Sequence, residues 1–243
     1  VMAQADFNGD SEWFRMISNE QGCGYFSTDG ESITINQPAC VATLEKLKEM
    51  KDAGIITAAI WDEKIQGSKA GKAASQMYGA WYEGSIRSNA PDLSGKWGVY
   101  MMPSLTADGP RAANLGGSSL AISEGSENKE AAFQFVEYAL TTNEGQVTML
   151  KSFGLVPSLL TAIEDPFVKE PQPYWANQPV WGDILATLPK IKPARGTAFQ
   201  SDADSIYQAV QAKYFANGYP DAKAALDDAA QQIETATGLS VAE

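Results

Sequence analysis

Trp81 and Tyr82 are the side chains best suited, by type and spacing, to hold a small molecule. They stand in the stretch Gly71-Lys72-Ala73-Ala74-Ser75-Gln76-Met77-Tyr78-Gly79-Ala80-Trp81-Tyr82-Glu83-Gly84, where small residues lead to an apolar pair, a glycine and two adjacent rings. That order predicts a short strand delivering both rings to a turn or a helix start. Gly79 and Gly84 would leave room for something to approach closely. Two readings fit: the buried end of a strand, or one wall of a ligand cleft.

Other chemistries are narrowed by what the chain lacks. Its 243 residues contain no histidine, which removes the commonest general base, the commonest metal ligand and every Ser-His or Cys-His nucleophile. An enzyme here would depend on carboxylates, Lys, Tyr or a cofactor. Cys23 and Cys40 are the two cysteines, too few for a cysteine zinc site. They form either a disulfide in an oxidising compartment or two buried thiols. Spacing does not decide between these, and the disulfide is the expectation carried forward. The run from Asp6 to Asp10 superficially resembles a calcium loop but lacks its alternating acids and closing Glu. Asp62 and Glu63 are adjacent, so on a strand they point to opposite faces and do not cooperate as an acid/base pair. Gly116-Gly117 lacks the Gly-Lys-Ser/Thr ending of a phosphate loop. Two glycines before an apolar strand permit close approach of backbone to a ligand or to another segment, with a plain loop as the alternative.

The chain has 30 acidic and 18 basic residues, a net charge of -12. Phosphate backbones and anionic membranes require clustered Lys and Arg, so neither nucleic acid nor a membrane surface is expected as a partner. No apolar run is long enough to cross a bilayer, and no basic-then-apolar signal segment opens the chain. The opening Val1-Met2-Ala3-Gln4-Ala5-Asp6 is neither initiator-like nor secretory, which suggests a position inside a longer gene product. With 44% hydrophobic and 20% charged residues, the whole chain is expected to fold, as one large domain or two smaller ones.

The elements that must position these residues follow from periodicity. Trp13, Phe14, Met16 and Ile17 predict a helix capped by Asp10 or Ser11. Asp29-Gly30, between apolar segments at 22–28 and 31–35, predicts a hairpin. Pro38 opens a helix with Val41, Leu44, Leu47 and Met50 inward, ended by Gly54. Trp97 to Pro103 and Leu120 to Ser123 read as strands. A helix after Ser126 presents Ala132, Phe135, Val136, Ala139 and Leu140 as a core face. Thr141-Thr142-Asn143-Glu144 resembles a capping box opening the next helix, which carries Val147 and Leu150. From Pro157 to Pro193, prolines and aromatics predict short helices joined by turns. Two helices close the chain, one with Ile206, Ala209, Val210 and Tyr214 inward, the other with Leu226, Ala229, Ala230 and Ile233.

In this order the elements resemble a known family, the extracellular solute-binding proteins of bacterial sugar ABC transporters, relatives of maltose-binding protein. Five passages carry the resemblance. They are the Gly22–Ile35 hairpin with the helix from Pro38 to Gly54; Gly71 through Trp81; Trp97 to Pro103; Gly116-Gly117, Leu120-Ala121-Ile122-Ser123 and Asn128-Lys129-Glu130-Ala131-Ala132; and Gly154-Leu155-Val156-Pro157 with the closing Gly218–Ile233 helix. The resemblance implies an α/β, periplasmic-binding-protein-like (type II) architecture, of which this chain is the C-terminal portion. Residues 1–112 would begin the C-terminal lobe, 113–158 would cross the hinge and belong to the N-terminal lobe, and 159–243 would return as the helical remainder.

Such a protein closes on a sugar at the interlobe hinge and delivers it to membrane permease subunits, in the periplasm or outside the cell, as a monomer when full length. A sugar presents an apolar C–H face for stacking and hydroxyls for short polar groups and backbone. The resemblance makes Trp81 the stacking platform with Tyr82 beside it. Gly116 and Gly117 would offer backbone groups, flanked by Asn114 and Ser118. Asp10 and Trp13 fall where cleft residues are often placed, and Arg195 falls in the loop before a late helix. Neither a cofactor nor a catalytic group is implied. Two other classes remain: a carboxylate-based glycoside hydrolase, for which no motif places a pair of acids, and a protein-interaction domain without a small ligand.

Overall fold

Apolar stripes at helical spacing, each needing another stripe to cover it, determine how this chain packs. The computed structural model describes residues 2–194 and 196–242. In chain order these form strand β1 (Ala3–Ala5), helices α1 (Glu12–Gln21) and α2 (Pro38–Asp52), strand β2 (Ile56–Ala58) and helices α3 (Trp61–Lys69) and α4 (Tyr82–Asn89). Helices α5 (Lys129–Thr141), α6 (Asn143–Phe153), α7 (Val180–Leu185), α8 (Gln200–Phe215) and α9 (Ala222–Thr237) follow, with short 3-10 turns between α6 and α8. The chain divides into two compact units. One comprises Val1–Met77, Met102–Leu115 and Lys190–Glu243, the other Tyr78–Met101 and Gly116–Pro189.

The first unit is built on α1, α2, α8 and α9. Leu226, Ala229, Ala230 and Ile233 of α9 are buried as their spacing predicts, and the small residues let α9 lie close to α8. α9 starts where the Asp221 carboxylate accepts the Ala224 N–H at 2.8 Å and stops at Gly238, which adopts φ +74°. On α8 the inward stripe runs through Ala203, Tyr207, Val210 and Tyr214, whereas Ala209 is exposed and Ile206 only half-buried. The stripe is set by the aromatics, which offer more area to bury than Ala209 does. Phe14 stacks on Tyr207 with centroids 4.2 Å apart, and Phe7 packs against Phe215 at 4.6 Å. β1 and β2 pair in parallel, Ala3 opposite Ile56 and Ala5 opposite Ala58.

Hydrogen bonds finish this core. Gln211 is buried, and its Nε2 donates to the Phe7 and Asp10 carbonyls at 3.0 and 2.9 Å while its Oε1 accepts from the Tyr207 hydroxyl. Of the two residues expected to cap α1, Asp10 and not Ser11 bonds the helix start. The Ser11 hydroxyl donates to Asp204 on α8, which also accepts from the Tyr25 hydroxyl at 2.7 Å, and the Asp10 carboxylate takes the Glu12 N–H instead. Asp6 accepts the Asn8 and Gly9 N–H groups, so the acidic opening run is a turn stabilised by its own side chain. Cys23 and Cys40 form a disulfide that ties the end of α1 to the first turn of α2. The hairpin at 22–35 contracts to one antiparallel bridge, Phe26 to Ile33, because Ile33 is also bridged in parallel to Val241.

Three predicted strands do not form. Residues 71–79 form no ladder, Ser75 N–H donating to the Met2 carbonyl. In the 97–103 segment, the Val99 N–H and carbonyl are matched by the Gln178 side chain at 2.8 and 2.6 Å rather than by a neighbouring strand. The segment 118–123 is extended and mostly exposed. Asp62 and Glu63 sit in the first turn of α3, where Glu63 accepts the Ile60 N–H and both acids complement the helix N-terminus.

In the second unit, α4 packs on α6, with Ile86 and Leu150 fully buried. Contact is close because Gly84 lacks a side chain: a Cβ there would lie 2.0 Å from the Phe153 carbonyl oxygen. Glu83 is buried and accepts from Arg87 Nε and Trp175 Nε1, both at 2.9 Å. The Tyr174 hydroxyl donates to the Ala90 carbonyl at 2.8 Å, closing the end of α4. The Thr142 hydroxyl accepts the Gly145 N–H and opens α6, one residue later than a Thr141–Glu144 capping box would place it, and with Gly145 at the third position the box does not form. The expected core face of α5 is only partly covered: Ala139 is buried, Ala132, Val136 and Leu140 are half-buried, and Phe135 is 63% exposed.

These contacts give two expectations. Gly84→Ala would press a methyl group into main chain that cannot yield, lowering the stability of the second unit by about 1–3 kcal/mol or more, read as a reduced urea midpoint. In the first unit, Glu20 is fully buried on α1, and burial raises its carboxyl from 4.5 to about 7, against the opposing pull of the Gln21 amide, Arg111 and Lys192. Between those two values the folded protein holds a proton that the unfolded chain has lost. Stability therefore falls as pH rises from 4.5 to about 7 and is flat above. Glu20→Gln should flatten that slope, roughly 3 kcal/mol across the window, as measured by denaturation at a series of pH values.

Candidate functional site

The aromatic stretch is held by a turn, not by a strand. Tyr82 N–H donates to the Gly79 carbonyl at 2.9 Å and Glu83 N–H to the Ala80 carbonyl at 3.0 Å, so residues 79–82 wind directly into α4. Gly79 admits the Trp81 ring: a Cβ at 79 would stand 2.4 Å from Trp81 Nε1. What approaches Gly84 is the main chain of Phe153 and Gly154. Both glycines thus serve packing within the unit, and they fix where the rings sit.

Three rings gather there. Tyr78 stacks on Tyr82 with centroids 4.6 Å apart and an interplanar angle of 22°, while Trp81 meets Tyr78 edge-on at 5.7 Å and Tyr82 at 6.4 Å. Tyr82 is buried and Trp81 half-buried, so Trp81 keeps accessible surface while Tyr82 is a backing member of the cluster. Sequence reasoning did not single out Tyr78. It precedes the turn that opens α4, and that turn folds its ring back onto Tyr82.

The remaining expected residues divide between the units. Asp10, Trp13 and Asn114 belong to the first, and Gly116, Gly117 and Ser118 to the second with Trp81 and Tyr82. Asp10 accepts from Lys64 Nζ at 3.2 Å, and Lys64 is itself buried. Desolvation still raises the Asp10 carboxyl above its usual range, outweighing the attraction of Lys64. Trp13 lies in the hydrophobic core at 5% exposure, and its Nε1 has no hydrogen-bond partner among the described residues. Asn114 N–H donates to Asn19 Oδ1 at 2.9 Å. Gly116 adopts φ +74°, and space beside Gly116 and Gly117 is open. Arg195 lies outside the described residues.

Glu83, the acid next to the rings, is buried and committed to Arg87 and Trp175. Among the described residues, no three Asp, Glu or Cys side chains gather to hold a metal ion, and no helix is long and apolar enough to cross a membrane.

The sequence matches the family of bacterial extracellular solute-binding proteins over residues 1–178. It is 30% identical over 204 residues to the lactose-binding protein of Rhizobium radiobacter, covering 82% of this chain and 48% of that protein. It is 32% identical over 161 residues to the arabinooligosaccharide-binding protein of Bacillus subtilis, covering 64% and 37%. Among solved structures, the ABC transporter associated binding protein from B. animalis subsp. lactis, in complex with beta-1,6-galactobiose, matches with a TM-score of 0.85 at 18% identity. That match covers 99% of this chain and 63% of the other. The maltose/maltodextrin-binding domain from Bdellovibrio bacteriovorus bound to maltotriose matches at 0.75 and 22% identity, covering 97% and 60%. The chain spans half or less of the length of the relatives it matches in sequence. These likenesses show the α/β, periplasmic-binding-protein-like (type II) fold in part, and with a family match over most of its length the chain belongs to the bacterial extracellular solute-binding proteins.

Proposed function

We propose that the protein containing this chain binds a mono- or oligosaccharide in a cleft between two lobes and delivers it to the permease subunits of an ABC transporter. The observation that carries this reading is the Tyr78/Trp81/Tyr82 cluster, in which a half-buried indole is backed by stacked rings at a helix start. Such a surface suits the C–H face of a sugar ring. Relatives named for lactose and arabinooligosaccharide binding support the ligand class.

Trp81 is the platform in this reading and Tyr82 holds it in place. The backbone at Gly116 and Gly117, with Ser118 and Asn114, supplies hydrogen-bonding groups, and Asp10 lies at the start of α1 where its carboxylate is held by Lys64. Trp13 contributes through the core beneath α1. Residues 1–112 and 159–243 are assigned to the C-terminal lobe and 113–158 to the hinge crossing and the N-terminal lobe. The exposed rings of Phe135 and Tyr138, neighbours on one side of α5, support that last assignment. The location is periplasmic or extracellular, which suits the disulfide, and the full-length protein acts as a monomer without enzymatic turnover. A glycosidase needs two available carboxylates flanking the scissile bond, and Glu83 is already engaged.

The test is a thermal-shift and calorimetric screen with lactose, arabinooligosaccharides, galactobiose and maltotriose, run on this chain and on the protein at its relatives' full length. A ligand at a hundred times its Kd adds roughly 2.7 kcal/mol to stability. The longer protein should bind at least one sugar, and this chain should bind it more weakly because contacts from one lobe are absent. Trp81→Ala should cost the longer protein about tenfold or more in affinity, roughly 1.4 kcal/mol. No binding across the panel, or hydrolysis of the bound sugar, would sink the reading.

A further inference from the structure

Asn19, in the last turn of α1, divides its side chain between two stretches of chain far from it in sequence. Its Oδ1 accepts the Asn114 N–H at 2.9 Å, and its Nδ2 donates to the Lys192 carbonyl at 3.3 Å. Both stretches lie where the chain passes from one unit to the other. Asn114 precedes Leu115, the last residue of its segment in the first unit, and Lys192 follows closely on Lys190, the first residue of the returning segment. One primary amide therefore meets an N–H from an outgoing segment and a carbonyl from an incoming one. Asn and Gln carry a carbonyl oxygen and an NH2 group on separate atoms of one planar amide, which suits this pairing.

The same helix end shows a second sign of this role. Glu20, the next residue, is fully buried with Oε1 lacking a hydrogen-bond partner among the described residues. The cations that act on it, Arg111 and Lys192, belong to the same two segments. The Lys192 side chain also lies over Gly22, where a Cβ would stand 2.9 Å from Nζ. α1 is itself firmly held, by Phe14 stacked on Tyr207 and by the disulfide that follows it. The helix end is a fixed point against which two crossing segments are set.

We propose that Asn19 is a positioning residue: by anchoring Asn114 and Lys192 to the end of α1, it fixes the course of both crossing segments and presents the Gly116–Ser118 backbone that follows Asn114. Its effect on sugar affinity rests on the function proposed above, whereas the anchoring does not. The contact is polar and on the half-exposed side of α1, so its loss should leave global stability nearly unchanged.

The experiment measures amide hydrogen exchange at Asn114 and across 190–194 in this chain, for the wild type, Asn19→Ala and Asn19→Asp, with urea midpoints alongside. Asn19→Ala should speed Asn114 exchange by about tenfold through local opening, with the urea midpoint little moved. Asn19→Asp keeps an acceptor for the Asn114 N–H and loses the donor to Lys192, so it should restore protection at Asn114 and leave 190–194 faster than in the wild type. Unchanged exchange at Asn114 in Asn19→Ala would overturn the anchor. So would faster exchange that Asn19→Asp fails to restore, or exchange that rises only in step with a lowered midpoint. Lactose and the other sugars of the panel are then titrated into the full-length variants. If a sugar binds the wild type and Asn19→Ala binds it severalfold more weakly, the anchor serves affinity; equal affinity overturns that part. If no sugar binds the wild type, the sugar reading fails while the exchange result still decides the anchor.

Discussion

The first unit depends on α1 being immobile, and the stack of Phe14 on Tyr207 is what makes it so. A 4.2 Å ring contact between α1 and α8 sets the distance at which every other bond between them must work. With that distance fixed, Ser11 reaches Asp204, and Gln211 reaches the carbonyls of Phe7 and Asp10. Each of these donors or acceptors would carry a desolvation cost if its partner moved away. The disulfide then carries the order of α1 into α2, and Leu44 and Leu47 of α2 complete the cover over α9. Apolar contact sets the spacing, and polar contact makes that spacing unique.

The second unit reaches its order differently. Its aliphatic core is thin, and side chains take over bonding that a sheet would otherwise provide. Gln178 pairs with both main-chain groups of Val99, and Tyr174 caps the end of α4. Glu83 collects an indole N–H and a guanidinium in one buried place. A buried carboxylate is tolerable there because its oxygens are matched by strong donors. The same commitment removes it from chemistry, so the aromatic cluster stands beside an acid that serves structure.

Helix positions were largely legible in the sequence. The stripe on α9, the proline opening of α2 and the glycine ends all depend on local rules, and local rules survive folding. Strands were legible only as apolar runs. Whether an apolar run becomes a strand depends on a partner edge, and for 97–103 and 118–123 the described residues provide none. The Ser11 cap failed for a related reason: a hydroxyl that could bond its own helix found a stronger, charged acceptor 193 positions away. Trp81 and Tyr82 could be picked out by type, but their orientation follows from Gly79 and Gly84. Beside Gly79 stands the indole of Trp81, two residues away, whereas beside Gly84 stands the main chain of Phe153, which no short sequence window contains.

α5 brings these points together. Its apolar residues recur at helical spacing as a core face should, yet Ala139 is the one that is buried and two phenylalanines remain more than half exposed. A sequence pattern encodes a demand for cover, and the cover need not come from the same stretch of chain. The helix keeps its form meanwhile because its backbone bonds are internal, which an unpartnered strand cannot match. That asymmetry explains why the segment around residues 118–141 retains its helix and lacks its strand.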